Sequence, residues 1–479
     1  MPGGVIQLIS CGVHDIYLIG CPQITYFKKV YKKHTHFAME SIEQEINGGT
    51  EFGRYVSAQL YRDGDLLSKL MLEMKFRANT DETIDLSGVL SVTDGITTID
   101  YSGNFYIDSG TSQIMFDASG FNVILGVGGT PIVNNGGIVH SLLPSFNPMS
   151  TLNPNIPRIG TRAIDYIELT IGSQLIDRLY GDWIDIWLQL SSNFEKWTHL
   201  ENMLTGLTLN PDGTATTYTP IPFWFTKNTG LALPMISLQY HEVKCNIQFK
   251  ENIFNWTTDI DLTGYADTTS DVPFTTIVGI TVFNVPYSLE MTDGRLFGDY
   301  IFLDTDERRM FAALNQEYLI EQLQYSNKFM LVPSININEI HFNHPVKELY
   351  WYYQLNSNEN TFNYWDNSGN DIMKECRLEY NGIERFKTKN NHYFRMIQQY
   401  YHHSGAFKQD ASGEYGGFYT YSFALNPELY QPSGTCNFSR INNAILYSDV
   451  TQSCLMNIYA LNYNVLRIMN GMAGLMYGN

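Results

Sequence analysis

Residues 165–187 read DYIELTIGSQLIDRLYGDWIDIW, and two periodicities meet inside them. From Tyr166 to Ile171 apolar and polar residues alternate, which puts Ile167, Leu169 and Ile171 on one face of a strand. Gly172 ends that run. From Asp182 the spacing changes, and Trp183, Ile186, Trp187 and Leu190 fall along one side of a helix, with Asp182 as its expected N-cap.

Outward from this segment, the strand pattern dominates. Short runs rich in Val, Ile, Tyr and Phe end at Gly, Asn, Pro or Asp along most of the chain. In IYALNYNVL, residues 458–466, Tyr459, Leu461, Tyr463 and Val465 share a face, which predicts a sheet with one buried side. Helix is scarce; a second short one is expected after Thr305, in DERRMFAAL, between two strand-rich halves. At 479 residues the chain exceeds what one core serves. An all-β fold of two sandwiches joined by that helix follows.

Residues 80–160 differ from their surroundings, with Gly, Ser, Thr, Asn and Asp around brief alternating pieces such as FYID and QIMF. They read as an insertion with small hairpins of its own, with a partly disordered loop as the alternative. The halves also echo each other: Leu169, Gly172 and Asp177-Arg178 parallel Leu378, Asn381-Gly382 and Glu384-Arg385. Cys245-Asn246-Ile247 likewise parallels Cys436-Asn437-Phe438. Both echoes are consistent with a duplicated sandwich.

Composition bounds the function. Charged residues are 16% and aromatics 14%, with 32 Tyr and 27 Phe, which reads as a weakly charged, Tyr-rich surface suited to protein contact. Sugar-binding clefts share that trait, so a carbohydrate-active enzyme is the competing class. A net charge of −19 argues against direct nucleic-acid binding; the densest basic cluster is KKVYKKH at 28–34. Six cysteines without a CxxC pair read as reduced thiols. No segment is apolar for long enough to span a membrane as a helix.

The search for chemistry assigns no catalytic, cofactor-binding or metal residue. GVGG at 126–129 has Pro131 where a dinucleotide loop needs its third glycine. Asp259, Asp261, Thr263 and Gly264 begin like a calcium loop, but Ser270 stands at the twelfth position in place of Glu. His34 with His36, His341 with His344, and His402 with His403 lack the partners of a zinc motif. Asp304 and Asp306 are explained by a helix start, where carboxylates contribute about 0.3–1 kcal/mol. No GxSxG elbow surrounds a serine. The sequons at Asn255 and Asn437 are given no role without secretory entry.

Seven blocks, taken in order, resemble the major capsid proteins of the nucleocytoplasmic large DNA viruses. They are DIYLIGCPQITYFKKVYKKHTHFAMESIEQ (15–44), the opening 165–187 segment and GLALPMISLQYHEVK (230–244), then YIFLDTDERRMFAALNQEYLIEQLQ (300–324) and FNHPVKELYW (342–351). YSFALNPELYQPSGTCNFSRINNA (421–444) and YALNYNVLRIMNGMAGL (459–475) complete the set. Residues 80–160 depart from the family pattern, as does Cys21, where Asn is common before Pro22. The resemblance implies two eight-stranded jelly rolls in tandem: an N-terminal arm at 1–26, a first roll at 27–305, a connector helix at 306–319 and a second roll at 320–479. It implies homotrimeric, pseudo-hexagonal capsomers tiling an icosahedral virion shell assembled in the host cytoplasm. Expected partners are neighbouring capsomers, minor capsid proteins and, near the arm, an internal membrane; no active site and no cofactor are expected. A minor capsid paralogue or scaffold of the same fold is the alternative within the family. Copy number in virions separates the two.

Overall fold

The computed structural model describes residues 19, 21–29, 31–80, 86–93, 98–108, 113–118, 121–126, 158–205, 214–251, 255–263, 276–326, 328–356, 364–366, 368–405 and 416–478. Four antiparallel sheets form two sandwiches. In the first half, eight strands run in chain order: Phe37–Gln44, Tyr55–Leu60, Leu66–Thr80, Ile164–Ile171, Gln174–Tyr180, Ala215–Pro220, Val243–Phe249 and Thr276–Leu303. In the second they are Gln316–Tyr325, Ile335–Glu339, Pro345–Gln354, Met373–Tyr380, Ile383–Asn390, Phe418–Ser422, Ala444–Val450 and Cys454–Met469. In both halves one sheet has the order first, eighth, third, sixth, and the facing sheet second, seventh, fourth, fifth. That order is the jelly roll, and here it occurs twice.

The opening segment forms as its pattern predicts. Ile167, Leu169 and Ile171 are fully buried and face Leu70, Leu72, Met74 and Phe76 of the opposite sheet across the first core. Its hairpin turns at Gly172 and Ser173, with φ of 55° and 68°; the matching hairpin of the second half turns at Asn381 and Gly382, with φ of 49° and 79°. Two consecutive left-handed residues make the tight hairpin turn whose twist matches the strands. The hairpin is therefore one structural element used twice, but Leu169 pairs with Asp177 whereas Leu378 pairs with Phe386, so the Asp177-Arg178 and Glu384-Arg385 dipeptides are not at equivalent positions. The second echo joins unlike elements. Cys245 lies in the seventh strand of its roll, whereas Cys436–Asn437 is an extra short strand on Pro345–Gln354 in the other type of sheet.

Two other expectations change. The Cys454–Met469 strand is buried on both faces: Tyr459 and Leu461 belong to the first core, and Met456, Ile458 and Ala460 to the second. Its alternation survives because buried Asn457, Asn462 and Asn464 find hydrogen-bond partners. The tyrosines are also not mainly a surface feature: Tyr300, Tyr350, Tyr353, Tyr364, Tyr419 and Tyr459 are among the largest fully buried side chains. A tyrosine spans a wide sandwich while its hydroxyl reaches an acceptor at the rim.

The connector helix is shorter than the expected 306–319: it spans Thr305–Ala313, because strand Gln316–Tyr325 follows it, and Asp304 is its N-cap, accepting from the Thr305 N–H at 2.7 Å. An additional helix, Phe194–Thr205, was not evident from the sequence. Within the 80–160 stretch, strands Leu86–Thr93, Thr98–Asp108, Gln113–Ala118 and Phe121–Gly126 form successive hairpins. The first of them pairs with Thr276–Leu303, so this meander prolongs a sheet of the first roll. Of the GVGG segment, Gly126 ends strand Phe121–Gly126 and residues 127–129 fall outside the described residues.

The buried junction between the sandwiches

The residues that fix the two rolls to each other lie in one buried junction. Strand Pro345–Gln354 shows how the sequence builds it: Leu349, Trp351 and Tyr353 point into the second core, while Tyr350 and Tyr352 join the first. Against them stands helix Gly181–Ser191, whose Trp183, Ile184, Ile186, Trp187, Leu188 and Leu190 are all buried. The Trp183 and Tyr350 rings meet edge to face at 6.2 Å.

Asp182, expected to cap this helix, lies inside its first turn, and Tyr180 occupies the cap position. One carboxylate oxygen accepts from the Trp183 N–H at 2.8 Å; the other accepts from the hydroxyls of Tyr352 and Tyr459. The sequence offered no signal for this role, because both tyrosines come from the other roll. A second acid, Asp177, accepts from the Leu323 N–H at 3.0 Å, and burial pushes its carboxyl up to about 7. Nearby, Glu321 accepts from Lys227 at 2.8 Å and from Lys347. Burial opposes its charge, but the two ammonium groups outweigh burial and hold its carboxyl at about 2.

The residues that the sequence offered as candidates for chemistry disperse. Asp259, Asp261 and Thr263 lie in strand Asn255–Thr263, while Gly264 and Ser270 fall outside the described residues. His34 contacts the Thr35 carbonyl, His341 lies 3.9 Å from Glu339, and His344 belongs to the buried end of a strand connection, its N–H donating to Ser439. His402 contacts the Leu425 carbonyl. His403 is buried between Glu348, at 2.8 Å, and Glu428, at 3.1 Å. Burial pulls its ring down, yet the two carboxylates prevail and raise it to about 9. Asn437 accepts from the Ser439 N–H in a short 3₁₀ turn. The five described cysteines are free thiols. Among the described residues no group of three or more His, Cys, Asp or Glu is placed to hold a metal ion.

A cavity of about 290 Å³ opens at the junction beside Asp165, Asp182, Lys250, Tyr325, Lys328 and Asn457. Of its two carboxylates, Asp182 is engaged by two hydroxyls and an N–H. No helix among the described residues is long and apolar enough to cross a membrane.

Comparison with known proteins agrees with this architecture. Residues 307–474 match the family described as "Large eukaryotic DNA virus major capsid protein", and residues 25–91 and 139–304 match "Major capsid protein N-terminus". The chain is 34% identical to the major capsid protein of Pyramimonas orientalis virus and 31% identical to that of Paramecium bursaria Chlorella virus 1, over the full length of each. The solved PBCV-1 VP54 structure, fitted into a reconstruction of the virophage Sputnik, superposes with a TM-score of 0.64 at 27% identity. It covers 95% of this chain and 100% of that one. The Faustovirus major capsid protein, at 12% identity, shares the fold with a TM-score of 0.61, covering 96% of this chain and 94% of its own. The chain therefore belongs to the major capsid protein family of large eukaryotic DNA viruses, a structural and not an enzymatic family, and its place is the virion capsid.

Proposed function

We propose that three copies form a pseudo-hexagonal capsomer, two sandwiches from each chain supplying the six sides, and that these capsomers tile the shell. The observation that carries this reading is the repeated strand order of the two rolls, held at a fixed angle by a buried junction. The arm at 1–26 is assigned to the capsomer base, beside minor capsid proteins and an internal membrane. The first roll is assigned to 27–305, the connector to the residues between it and strand Gln316–Tyr325, and the second roll to that strand onward. Exposure of Ile24 and Tyr26 supports an arm made for contact with another molecule. The 80–160 insertion is assigned to the outer face, assembly to the host cytoplasm, and no catalytic or metal site to any residue.

Light scattering tests the trimer. The expected mass is three times the 54.8 kDa of one chain, and a stable monomer under mild conditions overturns the assignment. Limited proteolysis of intact particles tests the insertion, since complete protection of 80–160 is incompatible with an outer position.

A further inference from the structure

Because the two rolls share one strand order, an edge of one can be compared with the same edge of the other. In the first roll, edge strand Tyr55–Leu60 is covered by the chain's own short strand Ile46–Asn47, through the pairs Ile46↔Ala58 and Asn47↔Ser57. In the second roll the equivalent strand, Ile335–Glu339, pairs with Ala444–Val450 and, among the described residues, is open on its other side. Ile335 and Ile337 are 68% and 66% exposed, with Met330 and Val332 exposed just before them. No charge occurs between Lys328 and Glu339. The opposite edge of this sheet, Ile383–Asn390, carries Glu384, Arg385, Lys387 and Lys389, the ordinary protection of an open edge. An edge with two exposed isoleucines and a single charge at its far end is a liability unless something is laid along it.

The chemistry beside that edge describes the occupant. Strand register sets Ile335 next to Asp449 and Asp449 next to Glu375, while Glu339 closes the edge strand. Ile337 lies next to Tyr447, on which Arg377 stacks, but Arg377 is already paired with Glu379 and Glu384, so the border keeps an excess of acid. A complementary segment exists in the same sequence. Residues 22–39 contain no Asp or Glu but include Lys28, Lys29, Lys32 and Lys33. Every described residue from 21 to 36 is exposed, and Phe27 is 99% exposed.

We propose that the Tyr26–Lys33 stretch of a second copy of this chain lies along the Ile335–Glu339 edge. Its aromatic rings cover Ile335 and Ile337, its lysines face Asp449, Glu375 and Glu339, and its backbone supplies the missing ladder bonds. The inference rests on self-assembly of the chain and goes further by naming the contact. Residues before Tyr26 remain free to reach the capsomer base.

A photo-crosslinking phenylalanine analogue placed at position 337 of the full-length protein tests it. Irradiation of the assembled protein should give a product of twice the chain mass, with the attached peptide mapping to 26–33. Lys28→Glu with Lys32→Glu should lower its yield at least about fivefold, as should raised salt. Crosslinks confined to one chain, crosslinks to another polypeptide or to another part of this chain, or none at all in a trimeric sample overturn this contact and leave self-assembly standing. A protein that stays monomeric at micromolar concentration overturns both.

Discussion

The Tyr459 hydroxyl lies 2.7 Å from Asp182 Oδ2 and donates to it across the boundary between the two rolls. Tyr352 donates to the same oxygen, so a single carboxylate in the first roll serves two strands of the second. Asp182→Ala leaves two buried hydroxyls without an acceptor and should cost about 2–4 kcal/mol, against about 1 kcal/mol for Tyr459→Phe. Urea denaturation of both variants measures the difference; equal losses would show that the carboxylate is not the shared anchor.

His403 contributes a pH dependence of defined sign. Its folded value of about 9 lies above the ordinary 6.5, so the stabilisation is complete below pH 6.5 and is lost as pH rises through about 9. The expected contribution is on the order of 3 kcal/mol at the acid end of that window. Melting temperatures of the wild type and of His403→Gln should converge between pH 6.5 and 9. A gap that stays constant across the window counts against a charged ring between Glu348 and Glu428.

Removing Glu321 strands two cations, because Lys347 is fully buried and the Lys227 side chain is only 18% exposed. Glu321→Ala should destabilise the chain by about 3–5 kcal/mol, more than a surface pair would account for. Adding Lys227→Met and Lys347→Met to that variant should recover much of the loss. Chemical denaturation of the single and triple variants decides whether the uncompensated charge is the cause.

The duplicated hairpin turn provides an internal control. At Gly382 a Cβ would meet nothing within 4 Å, so Gly382→Ala costs only left-handed strain, about 1 kcal/mol. At Gly172 the added carbon would also come within 2.5 Å of the His241 ring. Gly172→Ala should therefore lower the melting temperature further than Gly382→Ala, and the reverse order would contradict the packing described at this turn.

Much of the fold was legible because its signals are local. Ile167, Leu169 and Ile171 alternate, Asp304 precedes a run of helix formers, and Asn381-Gly382 is a turn dipeptide on its own chemistry. The junction was not legible, since Asp182 meets a tyrosine, Tyr459, that stands 277 positions further along the chain. Buried asparagines also mimic a solvent face, which made Cys454–Met469 look half exposed. Tyrosine count alone likewise cannot distinguish a wet surface from a core whose hydroxyls are satisfied at its rim.

Strand Pro345–Gln354 sends alternate side chains into two different cores, and this has a mechanical consequence. Neither roll can be excised without exposing the inside of the other, so duplication here has produced one tile and not two beads on a string. Force applied to either half passes through Trp183, Tyr350 and Tyr352 without a hinge to absorb it. Curvature in a shell of such tiles must then be accommodated at the seams between tiles, where contacts can tilt, while each subunit holds its shape under load.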